Sequence, residues 1–351
     1  MNKKNIIFTG GGSGGHVIPA LTLCKQCKKH DVNLYYIGSY DGVEKGVIEK
    51  EGISYKAIST GKLRRYFSLK NLIDIFKIVW GVIQSYFYLI KFKKKDTVVV
   101  GTGGFVIVPV VFAAWLQGKK IIIHEQTSRI GLANKIASYF ATKVLVTFSS
   151  SIQFFPENKV IETGYPLREE IFIDKENFNI KDLSFDSINK PILFVTGGGN
   201  GSFLLNQIVN ELRSDLLERF FIIHQVGRKY YQEYLALETN DYKVFDFISE
   251  DIISYFKKSD VVISRAGAGT VVELISIGKP TVFIPLKIAQ KNEQYHNAME
   301  ANLKIGSIVI EEKELGRESL LAAIEQVQKV ARSNSVTTNP VESITKIILE
   351  S

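Results

Sequence analysis

Short runs of apolar residues alternate with amphipathic stretches of helical length along most of the chain. Many of the short runs are continuous in Val, Ile, Leu and Phe, which is typical of strands that are buried on both faces of a parallel sheet. Strands that alternate with helices in this way predict doubly wound α/β domains. The predicted strands are Asn5–Thr9, Asn33–Ile37, Thr97–Val100, Ile121–His124, Lys143–Phe148, Pro191–Thr196, Phe220–Val226, Val244–Ile248, Asp260–Ser264 and Thr281–Pro285.

The alternation is interrupted once, at the polar segment Glu169–Lys190, which is rich in Asp, Asn and Lys. Such a segment is typical of a connector between domains. The sequence on either side of it begins in the same way, with a strand, a glycine cluster and a helix. We therefore predict Rossmann-like domains over residues 1–165 and 166–335, a terminal segment over residues 336–351, and a ligand cleft between the two domains.

Residues Lys70–Lys95 form a predicted long helix with a narrow polar stripe and an unusually wide apolar arc. Polar positions interrupt the arc too often for a membrane-spanning helix, and a lysine cluster follows its end. This combination is typical of a helix that lies on an anionic membrane surface, although a core helix with a solvated end is the alternative. The residues predicted to face the membrane are Ile75, Val79, Trp80, Ile83, Phe87, Lys93 and Lys94.

Composition narrows the class of protein only a little. The chain of 351 residues carries a net charge of +8, which attracts phosphates, nucleic acids or anionic lipids without choosing among them. We expect no nucleic-acid partner, because no recognised module is present. Cys24 and Cys27 form a C-x-x-C without a second pair, and we interpret them as core residues of one helix. The first residues lack the features of a signal peptide, and the sparse cysteine use fits a reducing cytoplasm.

Glycine-rich turns between a strand and a helix let backbone N–H groups approach an anion. The chain has up to four such turns, at Gly10–Gly15, Gly101–Gly104, Gly197–Gly201 and Arg265–Gly269. Several of them in two tandem α/β units indicate a phosphate-bearing ligand. The first also matches G-x-G-x-x-G, but the nearest acidic residue after the second strand, Asp41, is poorly placed for a dinucleotide-binding oxidoreductase.

Three side chains beside these turns are candidates for chemistry. His16 can act as a general base or bind a diphosphate, unless it only bonds the backbone at a helix start. Arg168 can neutralise a diphosphate leaving group, unless it forms a surface salt bridge. Glu273 can accept hydrogen bonds from ribose hydroxyls, unless it is a solvated helix carboxylate. The chain has no Asp-x-Asp, so we expect backbone N–H groups and arginine, instead of a metal, to neutralise the diphosphate.

These residues resemble the MurG family, the UDP-N-acetylglucosamine:lipid I N-acetylglucosaminyltransferases of peptidoglycan synthesis. The similarity begins at Gly11–Ala20 and continues in the family's order along nearly the whole chain. Its further motifs are Gly61–Phe67, Gly103–Val106, His124–Gln126, Gly131–Lys135, Gly164–Arg168, Ser264–Gly267 and Gln294–Ala298.

The resemblance implies a GT-B fold, with two Rossmann-like domains facing a central cleft, and an inverting hexosyl transfer without a cofactor. N-acetylglucosamine would move from UDP-N-acetylglucosamine to the C4 hydroxyl of the N-acetylmuramyl sugar of lipid I, forming lipid II. The enzyme would be a peripheral protein on the cytoplasmic, anionic leaflet of the cell membrane, serving cell wall biogenesis, cell shape and cell division. Pro340–Glu350 would pack back on the first domain. The alternatives are a related transferase acting on another membrane lipid, a sugar-nucleotide epimerase, and a non-catalytic membrane-surface scaffold.

The resemblance also implies roles for individual residues, with His16 as the candidate base. Ile248 would lie by the uracil, Glu273 on the ribose, and Gln294 on the sugar. Thr127 stands where family members often have Asn, and Asn200 stands in a loop that often reads Gly-Gly-Ser-x-Gly. The donor set is Ser13, Gly14, Gly15, Thr127, Arg168, Gly199, Asn200, Ile248, Ala268, Gly269, Thr270, Val271, Val272, Glu273 and Gln294, and the acceptor set is Gly103, Gly104, His124, Glu125 and Asn134.

Overall fold

The computed structural model describes residues 3–61, 69–173, 179–181, 183–248, 251–333 and 338–351. The chain divides into two compact units, one of Met1–Leu167 with Asn339–Ser351 and one of Arg168–Thr338. The boundary therefore falls two residues after the predicted one. Residues 62–67 of the motif that begins at Gly61 lie outside the described residues.

The described residues of the first unit form a seven-stranded parallel sheet between two layers of helices. Its strands are β1 (Lys4–Thr9), β2 (Val32–Ser39), β3 (Ser54–Ile58), β4 (Thr97–Gly101), β5 (Lys120–Glu125), β6 (Lys143–Val146) and β7 (Val160–Glu162). Its helices up to the boundary are α1 (Gly14–Cys27), α2 (Val43–Lys50), α3 (Leu69–Leu89), α4 (Ile107–Leu116) and α5 (Leu132–Phe140). The strand order is β3-β2-β1-β4-β5-β6-β7.

Both faces of this sheet are buried, which explains the continuous apolar runs. In β1, Ile6 and Phe8 join a cluster with α1, whereas Ile7, between them, joins a cluster with α4 on the opposite face. In β4, Val98 and Val99 divide in the same way. Alternate residues of one strand thus belong to two different hydrophobic clusters, one on each face of the sheet.

The described part of the second unit contains a six-stranded parallel sheet and, before it, a short antiparallel pair in the polar segment. The antiparallel strands are β8 (Asn179–Ile180) and β9 (Leu183–Ser184). The strands of the sheet are β10 (Ile192–Thr196), β11 (Phe221–Gln225), β12 (Tyr242–Phe245), β13 (Val261–Ser264), β14 (Val282–Phe283) and β15 (Ile308–Val309). The helices are α6 (Phe203–Glu211), α7 (Arg213–Arg219), α8 (Tyr231–Leu235), α9 (Ile252–Lys258), α10 (Ala268–Ser276), α11 (Glu293–Ile305) and α12 (Arg317–Lys329). The order of the sheet is β12-β11-β10-β13-β14-β15.

Each sheet reverses its strand order at its first strand: β1 lies between β2 and β4, and β10 lies between β11 and β13. At such a switch point the neighbouring connections leave toward opposite faces, so a crevice forms beyond the carboxyl ends of the strands. The four glycine turns follow the strands that border these two points. Gly10–Gly15 follows β1, Gly101–Gly104 continues from β4, Gly197–Gly201 follows β10, and Arg265–Gly269 follows β13.

All ten predicted strands overlap observed ones, but the prediction at Val244–Ile248 is wrong in its bounds. The strand there, β12, begins at Tyr242 and ends at Phe245. The backbone N–H of Ile248 donates instead to the Gln225 side chain, at 2.9 Å. Besides the short pair β8 and β9, the strands β3, β7 and β15 were not predicted. They are sheet-edge strands with partly exposed residues, so they lack the continuous apolar run of the central strands.

Helix α3 ends at Leu89, earlier than the predicted Lys95, and the chain then reaches β4 through a short 3-10 turn at Lys94–Asp96. The predicted narrow polar stripe is packed only in part: Asp74 and Gly81 are buried, whereas Lys77 and Lys91 are exposed. Asp74 is 8% exposed, and a Cβ added to Gly81 would lie 2.1 Å from the Ser59 carbonyl oxygen, so glycine permits the close packing. None of the described helices combines the length and apolar character that crossing a bilayer demands.

The C-terminal helix α13 (Pro340–Glu350) belongs to the first unit and packs against α1. Its buried residues Ile344 and Ile348 share a core cluster with Cys24 and Cys27. Both thiols are buried, and burial raises the pKa of Cys27 to about 12. The two cysteines are therefore protonated core residues of one helix, as expected.

Candidate active site

The glycine turns after β1 and β4 are in direct backbone contact. The Gly11 N–H donates to the Gly103 carbonyl oxygen at 3.2 Å, and the Thr102 N–H donates to the Thr9 carbonyl oxygen at 2.9 Å. Gly104 has a φ of +80°, and a Cβ there would lie 2.0 Å from the Gly11 carbonyl oxygen. Only glycine meets both conditions, so these turns need the residue type that the sequence repeats there.

The N-terminus of α1 is the anion-binding candidate of this unit. Ser13, its N-cap residue, makes no side-chain capping hydrogen bond within the described residues, and Ser13–Gly15 are exposed. The orphan N–H groups of such a helix end are suited to an anion. The two preceding amides do not share this role, because Gly11 N–H bonds Gly103 and Gly12 N–H bonds the Glu44 carboxylate at 3.2 Å.

His16 lies in the first turn of α1, half-buried against the second glycine turn. A Cβ at Gly103, whose φ is +111°, would lie 2.5 Å from His16 Nδ1, so the ring packs directly on the glycine backbone. His16 Nδ1 lies 3.3 Å from Gln126 Oε1. Burial lowers the pKa of His16, against the opposing effects of the Glu125 charge, the Gln126 hydrogen bond and the Thr102 carbonyl. The neutral imidazole, which is the form a general base requires, is therefore favoured.

Glu125, at the end of β5, organises the loop that follows it. Its buried carboxylate accepts hydrogen bonds from Thr127 N at 3.0 Å, Thr127 Oγ1 at 2.7 Å, Gly131 N at 3.3 Å and Asn134 Nδ2 at 2.9 Å. Four donors satisfy the carboxylate at a cost lower than that of an unpaired buried charge. Thr127, from the predicted donor set, is thus joined to Glu125 and Asn134, from the predicted acceptor set.

In the second unit, the structure brings Arg168 and Glu273 together. Arg168 Nε donates to Glu273 Oε1 at 2.7 Å, and the two side chains are 20% and 4% exposed. Burial raises the pKa of Glu273, Arg168 opposes that rise, and Glu170 adds to it. The interpretation of Glu273 as a solvated helix carboxylate is therefore wrong, because the side chain is buried and paired.

Helix α10 begins at Ala268, directly after the turn that follows β13. Its N-cap residue, Gly267, has extended backbone angles and no side chain to cap the helix, and Ala268–Thr270 are partly exposed. Val271 and Val272 are buried, so any contact they make with a ligand uses the backbone. The helix thus presents a terminus suited to an anion within two turns of Glu273.

Gln225, which was not among the predicted site residues, connects two of the predicted donor segments. Its Nε2 donates to the Gly198 carbonyl oxygen at 3.0 Å, and its Oε1 accepts from Ile248 N–H at 2.9 Å. The side chain is buried, and it ends a strand that borders β10. The sequence signal that could have identified Gln225 is its position as a polar residue at the end of an otherwise apolar strand.

Arg265 is a second residue that was predicted only as part of a turn. Its guanidinium donates from Nε to Ser202 Oγ at 3.0 Å and from Nη1 to the Ile284 carbonyl oxygen at 2.9 Å, and it pairs with Glu312 at 2.8 Å. Ser202 is the N-cap residue of α6 and accepts from Leu205 N–H. Arg265 therefore fixes the end of the third glycine turn, next to the exposed Gly199 and Asn200 of the predicted donor set.

Gln294 lies in the first turn of α11, where its Oε1 accepts from Leu286 N–H at 3.0 Å. The two residues before the helix, Lys291 and Asn292, have φ values of 53° and 55°. Left-handed backbone is costly for residues other than glycine and concentrates at functional sites. This feature supports a functional role for the turn that presents Gln294.

The models of two families match most of the chain. The glycosyltransferase family 28 N-terminal domain matches residues 6–146, and the glycosyltransferase family 28 C-terminal domain matches residues 192–347. A protein of Clostridium tetani (strain Massachusetts / E88), named UDP-N-acetylglucosamine--N-acetylmuramyl-(pentapeptide) pyrophosphoryl-undecaprenol N-acetylglucosamine transferase, is 39% identical over 354 residues, covering 99% of this chain and 98% of its own. A protein of the same name from Clostridium botulinum (strain Langeland / NCTC 10281 / Type F) is 41% identical over 352 residues, covering 98% of each chain.

The chain belongs to the MurG family. The crystal structure of Acinetobacter baumannii MurG matches it with a TM-score of 0.70 and 24% identity, covering 99% of this chain and 100% of that one. The two parallel-sheet α/β units accordingly have the GT-B fold, as predicted, and the protein is a glycosyltransferase.

Proposed function

We propose that this protein transfers N-acetylglucosamine from UDP-N-acetylglucosamine to lipid I, forming lipid II for peptidoglycan synthesis. The observation that carries the proposal is the 39–41% identity to transferases of that name over nearly the full length of both chains. The site geometry agrees with it, because uncapped helix N-termini, a paired arginine and a neutral histidine can bind a diphosphate, stabilise a leaving group and accept a proton.

The chemical step is a single displacement at the anomeric carbon. The C4 hydroxyl oxygen of the acceptor sugar forms the new bond to that carbon while the bond to the diphosphate oxygen breaks, which inverts the configuration. His16 takes the hydroxyl proton, and the electron pair of the broken bond leaves with UDP. Fixed donors stabilise the developing negative charge without reorganising, since Glu273 already holds Arg168 at 2.7 Å.

The donor nucleotide binds mainly to residues of the second unit. Glu273 accepts hydrogen bonds from the ribose hydroxyls, and the N-terminus of α10 at Ala268–Thr270 receives a phosphate. Ile248 lies by the uracil and Gln294 contacts the sugar. Support comes from Gln225, which holds Ile248 and the Gly198 turn together, as a rigid nucleotide site requires.

The protein acts as a peripheral enzyme on the anionic, cytoplasmic surface of the cell membrane, with α3 as its docking helix. The wide apolar arc of α3 is exposed: Phe76 is 75%, Trp80 55% and Phe87 69% exposed. The basic residues Lys91 and Lys93–Lys95 follow the helix and are exposed. An apolar face beside lysines is complementary to an anionic bilayer, and it would bring the enzyme to a lipid-linked acceptor.

The test is a transfer assay with the purified protein and radiolabelled UDP-N-acetylglucosamine. Lipid I, diacylglycerol or no lipid is supplied in separate reactions, and the lipid products are separated by chromatography. Label in a product of lipid I alone would support the proposal. Transfer to diacylglycerol would indicate a different lipid acceptor, and donor turnover without lipid would indicate an epimerase. Absence of UDP binding in calorimetry would favour a scaffold.

A further inference from the structure

A line of hydrogen bonds leads from the Gly164 carbonyl to His16 within the first unit. His124 Nε2 lies 3.0 Å from the Gly164 oxygen, Gln126 Nε2 lies 3.2 Å from His124 Nδ1, and Gln126 Oε1 lies 3.3 Å from His16 Nδ1. A neutral imidazole has one N–H and one lone pair, and only the nitrogen with the lone pair can accept a proton. The direction of this line therefore decides which nitrogen of His16 can act as a base.

The direction of the hydrogen bond between His124 and Gly164 is fixed by the Gly164 carbonyl. A carbonyl oxygen can only accept, so His124 Nε2 must carry a hydrogen. His124 is fully buried, and burial lowers its pKa to about 4, so the ring is neutral at physiological pH. Its Nδ1 is then an acceptor.

The orientation of the Gln126 side-chain amide is fixed as well, and the residue is 1% exposed. Its Nε2 lies 3.0 Å from the backbone carbonyl oxygen of His124, which again can only accept. The amide nitrogen is thereby placed on this side, and its second hydrogen meets the acceptor nitrogen of the His124 ring. The amide oxygen must face His16.

An amide oxygen can only accept, so His16 Nδ1 must be the donor of the last bond. The lone pair of neutral His16 then lies on Nε2. Contact between the ring and the Gly103 backbone holds the imidazole in place. The two backbone carbonyls, of Gly164 and His124, thus set a single tautomer of His16 through two intervening side chains.

We propose that Gln126 and His124 are positioning residues that hold His16 in its Nδ1–H tautomer and present the Nε2 lone pair to the acceptor hydroxyl. The inference rests on the proposed function for the identity of the base, whereas the tautomer is a property of the protein alone. In the reaction, Nε2 takes the hydroxyl proton while Nδ1–H stays bonded to Gln126. The sugar–phosphate electron pair leaves with UDP. Gln126 and His124 are neutral, so Glu125 is the charged group that raises the pKa of the His16 ring.

Nitrogen NMR of the full-length protein, labelled with ¹⁵N at histidine, tests the tautomer directly. The chain has five histidines, so single substitutions can assign each ring. At a pH above the pKa of His16, we expect a protonated Nδ1 and an unprotonated Nε2. A wild-type ring protonated at Nε2 would overturn the proposal. Buried His224 in the second unit, whose Nδ1 lies 2.8 Å from the Tyr242 hydroxyl, is the internal control.

Substitution of Gln126 tests the positioning role. Gln126→Met removes both polar contacts at similar volume, so His16 should show a mixture of tautomers, and kcat should fall by about 10-fold or more with the KM for UDP-N-acetylglucosamine unchanged. Gln126→Glu retains an acceptor for His16 Nδ1 but loses the donor to His124. It should therefore keep the Nδ1–H tautomer of His16 and more of kcat than Gln126→Met does. The added negative charge should also raise the pKa that governs the acid limb of the pH profile.

Two results would refute the positioning role: an unchanged tautomer in Gln126→Met, or an unchanged kcat despite mixed tautomers. Signals of His224 should be identical in the wild type and both variants, which separates a local effect from a general loss of structure. If the wild type transferred no sugar to lipid I, the proposed function would fail, while the spectrum would still decide the tautomer.

Discussion

Arg168 Nε donates to Glu273 Oε1 at 2.7 Å, which joins the residue predicted at the diphosphate to the residue predicted at the ribose. Removing either partner has a different consequence. Without Glu273, the guanidinium loses a buried acceptor that helps to orient it. Without Arg168, a buried carboxylate loses its counter-charge, although burial already raises the pKa of Glu273. The pair therefore links the chemistry of the site to the stability of the second unit.

We expect Arg168→Ala to lower kcat by about 100-fold, because a fixed donor to the leaving group is lost. Glu273→Gln keeps an acceptor for the ribose but loses the charge that holds Arg168, so a smaller loss of kcat is expected. Steady-state transfer kinetics measure both. A turnover number unchanged in Arg168→Ala would remove Arg168 from the leaving-group role.

The stability of Arg168→Ala should depend on pH through Glu273. The folded-state pKa of Glu273 lies above its ordinary value, so this carboxyl costs stability as pH rises and it ionises. Loss of Arg168 raises that pKa further. Urea unfolding should show a loss of up to about 3 kcal/mol at neutral pH, shrinking toward about pH 4 as Glu273 is protonated. Arg219→Ala, which breaks an exposed pair with Glu325, is the control and should cost less than about 1 kcal/mol.

Glu44 on α2 anchors the first glycine turn by accepting a hydrogen bond from its backbone. Its carboxylate is fully buried and accepts from Gly12 N at 3.2 Å, Ser39 N at 2.9 Å and Ser39 Oγ at 2.6 Å. In Glu44→Gln one oxygen becomes an NH₂ that faces a donor, so we expect a loss of about 1–3 kcal/mol in the free energy of unfolding. Activity should fall as well, because the turn that precedes His16 loosens. Exposed Glu49→Gln on the same helix is the control, and equal stability of the two variants would contradict the anchoring role.

The doubly wound units and their glycine turns could be predicted because they depend on local patterns. Continuous apolar runs indicate strands covered on both faces, and glycine clusters after strands indicate backbone contact, as at Gly104 and Gly11. The edge strands β3, β7 and β15 were not predicted because β3 alternates exposed polar residues with apolar ones, and β7 and β15 are only three and two residues long. Their presence depends on the neighbouring strand, which no local pattern specifies.

Several buried polar residues that position other residues of the site were not predicted from the sequence. Gln225, Gln126 and Glu44 are buried only because the topology brings separate segments around them. In the sequence Gln225 and Glu44 are each one polar residue among many, and the motif His124–Gln126 gives Gln126 no role of its own. The orientation of α3 shows the same limit, since much of its apolar arc is exposed while Asp74 is buried, opposite to the usual rule for a helix on a core.

The exposed arc of α3 leads to a prediction about membrane binding. Trp80→Ser combined with Phe87→Ser removes apolar area that a bilayer would bury, at about 1.5–3 kcal/mol for each side chain. Cosedimentation with phosphatidylglycerol vesicles should therefore weaken by about 100-fold or more, while the thermal unfolding temperature stays close to that of the wild type. Ile288→Ser, at a position 86% exposed in the second unit, should leave binding unchanged. Equal binding by wild type and double variant would exclude α3 as the docking helix.

Lys279 should make the stability of the protein rise with pH. Its ammonium group donates to the carbonyl oxygens of Ser259 and Lys257 at the end of α9, and the residue is 2% exposed. Burial, aided by the charge of Arg332 and opposed by Asp260, lowers the pKa of Lys279 from 10.5 to about 7. Between these pH values the unfolded chain binds a proton that the folded chain does not, so the free energy of unfolding increases with pH by at most about 1.4 kcal/mol for each pH unit.

Lys279→Met removes this proton linkage and so isolates it. We expect the free energy of unfolding of the wild type, minus that of Lys279→Met, to increase as pH rises from about 7 to about 10. Lys346→Met is the control, because the Lys346 side chain is 75% exposed and its difference from the wild type should stay constant over the same window. A difference for Lys279 that is flat or falls with rising pH would mean that the buried ammonium keeps its proton in the folded protein, held by the carbonyl oxygens around it.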